Sequence, residues 1–529
     1  MTEDELQPDW KEWLNELQAQ NRIAWLNTAN GTLLIAAERV AQLKAIFPNA
    51  SVEPAIAGLG SEAWSPEEAL VELVRGRLEG LGPCTEEALA CSLGLEKSEL
   101  TAALVALETE GFAMRGRFTP GTSDQEWCER RLLARIHRYT VKRLRAEIEP
   151  VAAREFMQFL LDWQHVSTEA RMEGPDAVGE IVGQLQGFEA PAGAWETEIL
   201  PARLAQYDSS WLDEQCFAGR ITWGRLRPRN AKTDGSERRA APVRSTPIVL
   251  LPRRSASLWG SQNLALEATP LTSNAQVVVD FIRENGALFF DELVEGTRLL
   301  RVQVEEALAE LVALGIVTSD SFGGLRALLV PSSMRRPVPG GRRRRRSSAF
   351  GMENAGRWAL ARRQGPKPEA DSVEHIARAL LHRYGVVFWR LLEREAVWLP
   401  PWRDLLRVYR RLEARGEIRG GRFVSGFSGE QFALPEAIGR LRALRRQGDT
   451  GTWISVSGAD PLNLVGIIVP GPKLPALTGN RVLYRDGIAI ALLAGGEAQF
   501  LEELDGASSW EASNALLRSP IPQAFLHLS

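Results

Sequence analysis

The sequence predicts an α+β protein, mainly α, made of tandem winged-helix modules followed by a small C-terminal β-barrel. Three observations predict it. An order of helix, helix, helix and hairpin recurs along the chain. Each clear recurrence has a leucine-rich third helix that ends in glycine, at Gly111, Gly315 and Gly416. After about Thr452 the pattern changes to short β-type runs. At 529 residues the chain exceeds one hydrophobic core, because a domain holds roughly 100–200 residues.

Residues 1–60 contain NRIAWLNTANGTLLIAAERV, which reads as a wing whose preceding helices are reduced, a partial winged-helix segment. Residues 61–125 give a full copy. Ser65 caps a first helix with Pro66 at its first position. GLGP breaks that helix, and Thr85 caps a short second one. A third runs from about Lys97 to Glu110, Gly111 ends it, and FAMRGRF supplies a hairpin. Residues 126–245 hold a less regular copy with a long connecting helix, from PVAAREFMQFLLDWQHV to SSWLDEQCFAGRITWGRL.

Residues 246–335 repeat the order, with a strand pair expected after Gly315. Residues 336–370 are rich in Arg, Pro, Gly and Ser and read as a linker. Residues 371–438 are a further copy, this time with a basic third helix. Residues 439–529 carry TWISVSGADPLNLVGIIVPG and RVLYRDGIAIALLAG, the expected barrel, and end in a helix at WEASNALLR. Within them Arg485-Asp486-Gly487 is a hairpin signal.

Composition excludes several classes. No apolar run approaches the roughly 18 residues of a membrane span. The start, MTEDELQPDWKEW, is acidic where a signal peptide is basic, so a cytoplasmic protein with no membrane partner is expected. Four cysteines (Cys84, Cys91, Cys128 and Cys216) have no CxxC spacing, and the five histidines are dispersed. No metal site and no cofactor are therefore expected.

The net charge is −4, yet the 63 basic residues include only seven lysines. Arginine's planar fork suits phosphate, although an arginine-rich genome gives the same bias. Position is more informative than number. The third helices of residues 61–125 and 246–335 carry Glu96, Glu99, Glu108 and Glu110, and Glu305, Glu306 and Glu310. Duplex DNA presents about one negative charge per 1.7 Å, so these helices read as structural or protein-contact elements.

The helix PWRDLLRVYRRLEARG differs, with Arg403, Arg407, Arg410, Arg411 and Arg415, and its wing adds Arg419 and Arg422. Upstream, GGRRRRRSS places Arg342, Arg343, Arg344, Arg345 and Arg346 in a row. From Arg335 to Arg363 ten arginines face one acid, Glu353. Strap and helix together read as a phosphate-tracking, nucleic-acid-binding element, with a solvated linker as the alternative.

Several stretches resemble the C-terminal region of the large helicase-related (Lhr) family of bacterial DNA-repair helicases. They are WCERRLLARIHRYTVKRLRAEIEPV, GQLQGFEAPAGAWETEILPARL, RRLEARGEIRGGRFVSGFSGEQFALPEA, VSGADPLNLVGIIVPG and GNRVLYRDG. The resemblance implies tandem winged helices, a β-barrel, oligomerisation of the chain with itself, and a helicase core in the same or a separate polypeptide. That motor is absent here, because a phosphate-binding loop needs Gly-Lys-[Ser/Thr] and no lysine follows a glycine.

The same region is similar to the AlkZ-type DNA glycosylases, also winged-helix proteins, and uracil excision is associated with it. Their Gln-apolar-Gln motif matches Gln184-Leu185-Gln186, which the resemblance makes catalytic candidates; a polar turn is the alternative. A carboxylate would supply base strength, with Asp460, Asp486 and Glu430 as candidates, although Asp486 also suits a turn. Three functions follow: a DNA-binding, oligomerising accessory region of an Lhr-type helicase, a monofunctional uracil-DNA glycosylase acting on single-stranded or damaged DNA, or a purely structural oligomerisation scaffold.

Overall fold

A computed structural model describes residues 1–2, 5–56, 58, 63–146, 149–226, 243–259, 271–329, 352, 355–361 and 369–517. It divides into two compact units, Met1–Leu144 and Arg145–Ser529.

In the first unit the hairpin Ile23–Thr28/Gly31–Ala36 takes Ser51–Glu53 as a third strand. Alternation along it buries Ala24, Leu26, Leu33 and Ile35 against Val40 and Leu43 of a short helix. Helices Pro66–Gly80, Glu86–Leu93 and Lys97–Thr109 follow. Ser65 and Glu68 form a capping box and Thr85 caps the second helix, which satisfies amides left open by the first turns.

Four modules share one sheet order, with the last strand lying between the first two. The central strands are Glu126–Glu129, Pro247–Pro252, Arg357–Leu360 and Gln431–Ala433. The helix before each wing is followed by a glycine in left-handed backbone, Gly111, Gly219, Gly315 and Gly416, with φ between 69° and 75°. A Cβ would resist that conformation.

Two expectations are corrected. The strand pair expected after Gly315 forms, between Val317–Ser319 and Arg357–Leu360, but not as a tight hairpin. Phe322–Leu329 is a helix, and the closing strand comes from Arg357–Leu360, within the expected linker. The helix buries Phe322, Leu325 and Ala327 and seats Arg326 between Glu196 and Asp213. The C-terminal region, among its described residues, is also not a closed barrel. Trp453–Ser457, Arg481–Arg485, Ile488–Ala494 and Glu497–Phe500 form an open antiparallel meander in that order. One face packs Leu483, Ile490 and Leu493 on Ala512 and Leu516 of helix Gly506–Leu517, while Val456, Val482 and Tyr484 enter the main core. With both faces covered, burial does not require closure.

The second unit has two large hydrophobic cores. One joins helix Ala153–Trp163 to the module at 369–433 and to the C-terminal sheet. The other joins the modules around Ala177–Leu250 and Ala275–Trp358. Among the described residues no helix is long and apolar enough to cross a membrane.

Candidate functional site

A cleft of about 1090 Å³ opens along the seam between these cores, just above the roughly 300–1,000 Å³ of small-molecule sites. One wall is helix Asp176–Leu185. Its Val178, Ile181, Val182 and Leu185 face the core. The 3.6-residue period then turns Gly179, Glu180, Gly183 and Gln184 to the cleft. The glycines keep this wall low, and a Cβ at Gly183 would meet nothing within 4 Å. The opposite wall includes His375, Arg378, Ala379 and His382 of helix Glu369–Tyr384.

The two glutamines are one residue apart in sequence and differ in what they touch. Gln184 is 6% exposed, and its Nε2 donates to Trp163 O at 2.8 Å. Its Oε1 is buried, and no donor among the described residues reaches it. Gln186 is fully engaged. Its Nε2 donates to Gly183 O at 3.0 Å, and its Oε1 meets Ser255 Oγ at 3.0 Å, Trp259 Nε1 at 3.4 Å and His375 Nε2 at 3.0 Å. An indole N–H only donates. The oxygen of Gln186 must therefore face it, and His375 carries its proton on Nε2.

The turn after this helix is locked from three sides. Arg383 donates to Gln186 O at 2.6 Å and pairs with Glu395, which also accepts from Tyr384. Gly187 has φ of +79°, and a Cβ there would fall 2.1 Å from the Trp259 ring, so only glycine lets that ring close over the turn. Trp163, beside Gln184, donates to His382 O at 2.9 Å and lies under the Arg440 guanidinium at 5.1 Å. Burial holds the His382 imidazole below its ordinary pKa, favouring the neutral form in the cleft.

Residues 151–251 and residues 366–453 each match the family described as "Large helicase-related protein, winged-helix domain". These segments supply the two walls of the cleft. The chain is 27% identical over 93% of its length to the "Lhr helicase/ probable uracil glycosylase" of Mycolicibacterium smegmatis, covering 32% of that protein. It is 27% identical over 78% of its length to the "Lhr helicase/uracil glycosylase" of Escherichia coli, covering 28%. It resembles the C-terminal region of the large helicase-related family. The chain spans less than a third of the length of these curated relatives. Among solved structures, the Streptomyces sahachiroi DNA glycosylase AlkZ aligns with 71% of this chain and 99% of its own, at 16% identity and a TM-score of 0.40.

The structure separates Gln184 and Gln186 from the carboxylates expected beside them. Asp460 is 1% exposed and accepts both Arg203 nitrogens, at 2.6 and 2.9 Å, which makes it a structural anchor. Asp486 sits in the two-residue turn of the C-terminal sheet, where it accepts from Thr450 and Gly451. Glu430 pairs with Arg410 and Arg145. None of the three lines the cleft. The carboxylates that do are Asp176, Glu180 and Glu417. Of these, Glu180 stands one helical turn before Gln184, a spacing visible in GEIVGQLQ.

The run Arg342 to Arg346 lies outside the described residues. The basic helix is Trp402–Ala414, which buries Leu405, Val408, Tyr409 and Leu412 and turns its arginines outward. Acids answer most of that charge. Arg403 and Arg407 face Asp404, Arg410 meets Glu430, and Arg411 and Arg415 approach Glu374. On the wing, Arg419 and Arg422 are exposed.

Proposed function

We propose that this chain is the DNA-gripping region of an Lhr-type repair system, and that its cleft receives a base extruded from DNA and excises it, with uracil as the substrate. The observation that carries the reading is the buried, unanswered Gln184 Oε1 on the wall of a cleft large enough for a nucleotide. Uracil presents an N3–H donor between two carbonyl acceptors on its Watson–Crick edge. An amide oxygen lacking a donor therefore suits uracil. Both relatives carry uracil glycosylase in their names.

In this reading Gln184 touches the base edge, and Gln186 fixes the turn that presents it. Excision forms a bond from water oxygen to C1′ and breaks the bond from C1′ to N1, and the base leaves with the electron pair. Glu180 takes the water proton. Extrusion costs a few kcal/mol, met in part by contacts of Trp402–Ala414 and its wing with single-stranded or damaged duplex DNA. The sequence has no nucleotide-binding loop, so a helicase core in the same or a separate polypeptide would supply the motor, and this chain alone would not hydrolyse ATP. Homo-oligomerisation through the acidic third helices Lys97–Thr109 and Arg301–Ala313 belongs to the same proposal.

The test is incubation of the full chain with a labelled strand containing one deoxyuridine, followed by alkali. Cleavage at the uracil is expected, reduced about 100-fold or more in Gln184→Ala, the scale of a lost acid–base or positioning group. Strand binding without cleavage would reduce the function to DNA gripping.

A further inference from the structure

The strongest unpaired positive charge among the described residues is not in the basic winged helix. It lies along one stripe of helix Arg130–Ala146, RRLLARIHRYTVKRLRA, which has seven basic residues and no acid, Arg145 among them pairing with Glu413 and Glu430. Arg131, Arg135, Arg138 and Lys142 follow one another at spacings of four, three and four, so they form one stripe along the helix. All four are exposed, and no described side chain of the helix is buried. Among the described residues none of the four has an ion-pair partner.

Helix stability does not account for this arrangement. A helix N-terminus favours acids over Arg130 and Arg131, and like charges three or four residues apart repel. The first turn is secured separately, by the Glu129 carboxylate accepting from Arg131 N and Leu132 N. Side chains on such a stripe are about 5–6 Å apart, the scale on which phosphates succeed one another along a strand.

We infer that this helix is a binding site for the phosphodiester backbone of DNA, with Arg131, Arg135, Arg138 and Lys142 each meeting a phosphate. The inference rests on the reading that the chain binds DNA and adds where the strand is held outside the cleft. Charge complementarity selects the occupant: four unanswered cations in a row fit a polyanion.

The test uses the full chain carrying Arg131→Gln, Arg135→Gln, Arg138→Gln and Lys142→Gln together. Glutamine preserves helix propensity, and circular dichroism checks that the helix is kept. Anisotropy of a labelled single strand is followed between about 50 and 200 mM salt, a range in which each phosphate contact contributes about 0.7 to the slope of log K against log salt. The expected result is a slope shallower by about 3 in the quadruple variant, with affinity at the lowest salt reduced more than tenfold. Arg131→Lys, Arg135→Lys and Arg138→Lys together should keep the slope. An unchanged slope in the glutamine variant overturns the inference while DNA binding stands, and a changed sedimentation mass with that unchanged slope would assign the stripe to a protein contact. A wild-type chain with no salt-sensitive binding overturns both this inference and the DNA-gripping reading.

Discussion

Arginine serves opposite ends in two regions of this protein. In the second unit Arg203, Arg326, Arg383 and Arg481 are almost wholly buried, and each faces a carboxylate: Asp460, Glu196, Glu395 and Glu198. Along Arg130–Ala146, Arg131, Arg135 and Arg138 stand exposed with no acid in the helix, while Arg145 near its end meets Glu413 and Glu430. The helix Trp402–Ala414 lies between these extremes, exposed but largely answered. What decides an arginine's role is therefore the carboxylate within reach and the water around it. Arginine content alone, high throughout this chain, identifies neither a core anchor nor a phosphate site.

If that contrast holds, the largest effect belongs to the buried pairs. Arg203→Ala should cost about 3–5 kcal/mol by stranding the Asp460 carboxylate, seen as a lower denaturation midpoint at unchanged slope. A loss below about 1 kcal/mol would place Arg203 with the surface arginines.

The two glutamines should separate next. Gln186→Ala removes the acceptor shared by Ser255, Trp259 and His375 and should cost about 1–3 kcal/mol. Gln184→Ala loses one hydrogen bond but also relieves a buried unpaired oxygen, so it should cost less. Equal losses would contradict the division of roles between them.

A smaller effect should appear with pH. The His382 pKa is lowered in the folded state by burial above all, with Glu436 acting in the opposite direction and His165 adding to the lowering. Its contribution is complete above the ordinary value of 6.5. It is lost as pH falls from there through the folded-state value, because the unfolded chain binds the proton more readily. His382→Gln should flatten the stability profile over that interval, and an identical profile would remove His382 as its source. The smallest effect is expected for the four-glutamine variant of the exposed stripe, within about 0.5 kcal/mol of wild type in thermal unfolding.

The repeated module was legible because its signals are local. Ser65 and Thr85 cap helices, and glycine ends each third helix, as the sequence pattern implies. Barrel closure was not legible, since short apolar runs specify strands and not how many edges remain. Nor was the strand Arg357–Leu360, which pairs with Val317–Ser319 across a long, arginine-rich stretch. Gln184 and Gln186 were found through resemblance, but their different surroundings depend on Ser255, Trp259 and His375, brought in from distant helices. The partner of Asp460 was not legible because its arginine lies 257 residues away. Two signals were available in the sequence: the four-residue step from Glu180 to Gln184, and the stripe from Arg131 to Lys142, which the denser run at Arg342 to Arg346 overshadowed.

In the proposed reaction a base enters the cleft beside Gln184. Gly183→Leu tests it most directly, because the added side chain enters open space on a helical backbone and leucine favours the helix more than glycine does. Uracil excision by this variant would be compared with wild type at matched DNA occupancy. Retained folding and strand binding are expected, with excision reduced about 100-fold or more, the scale of a misplaced reacting group. Excision at the wild-type rate in a folded Gly183→Leu protein would contradict base entry beside Gln184.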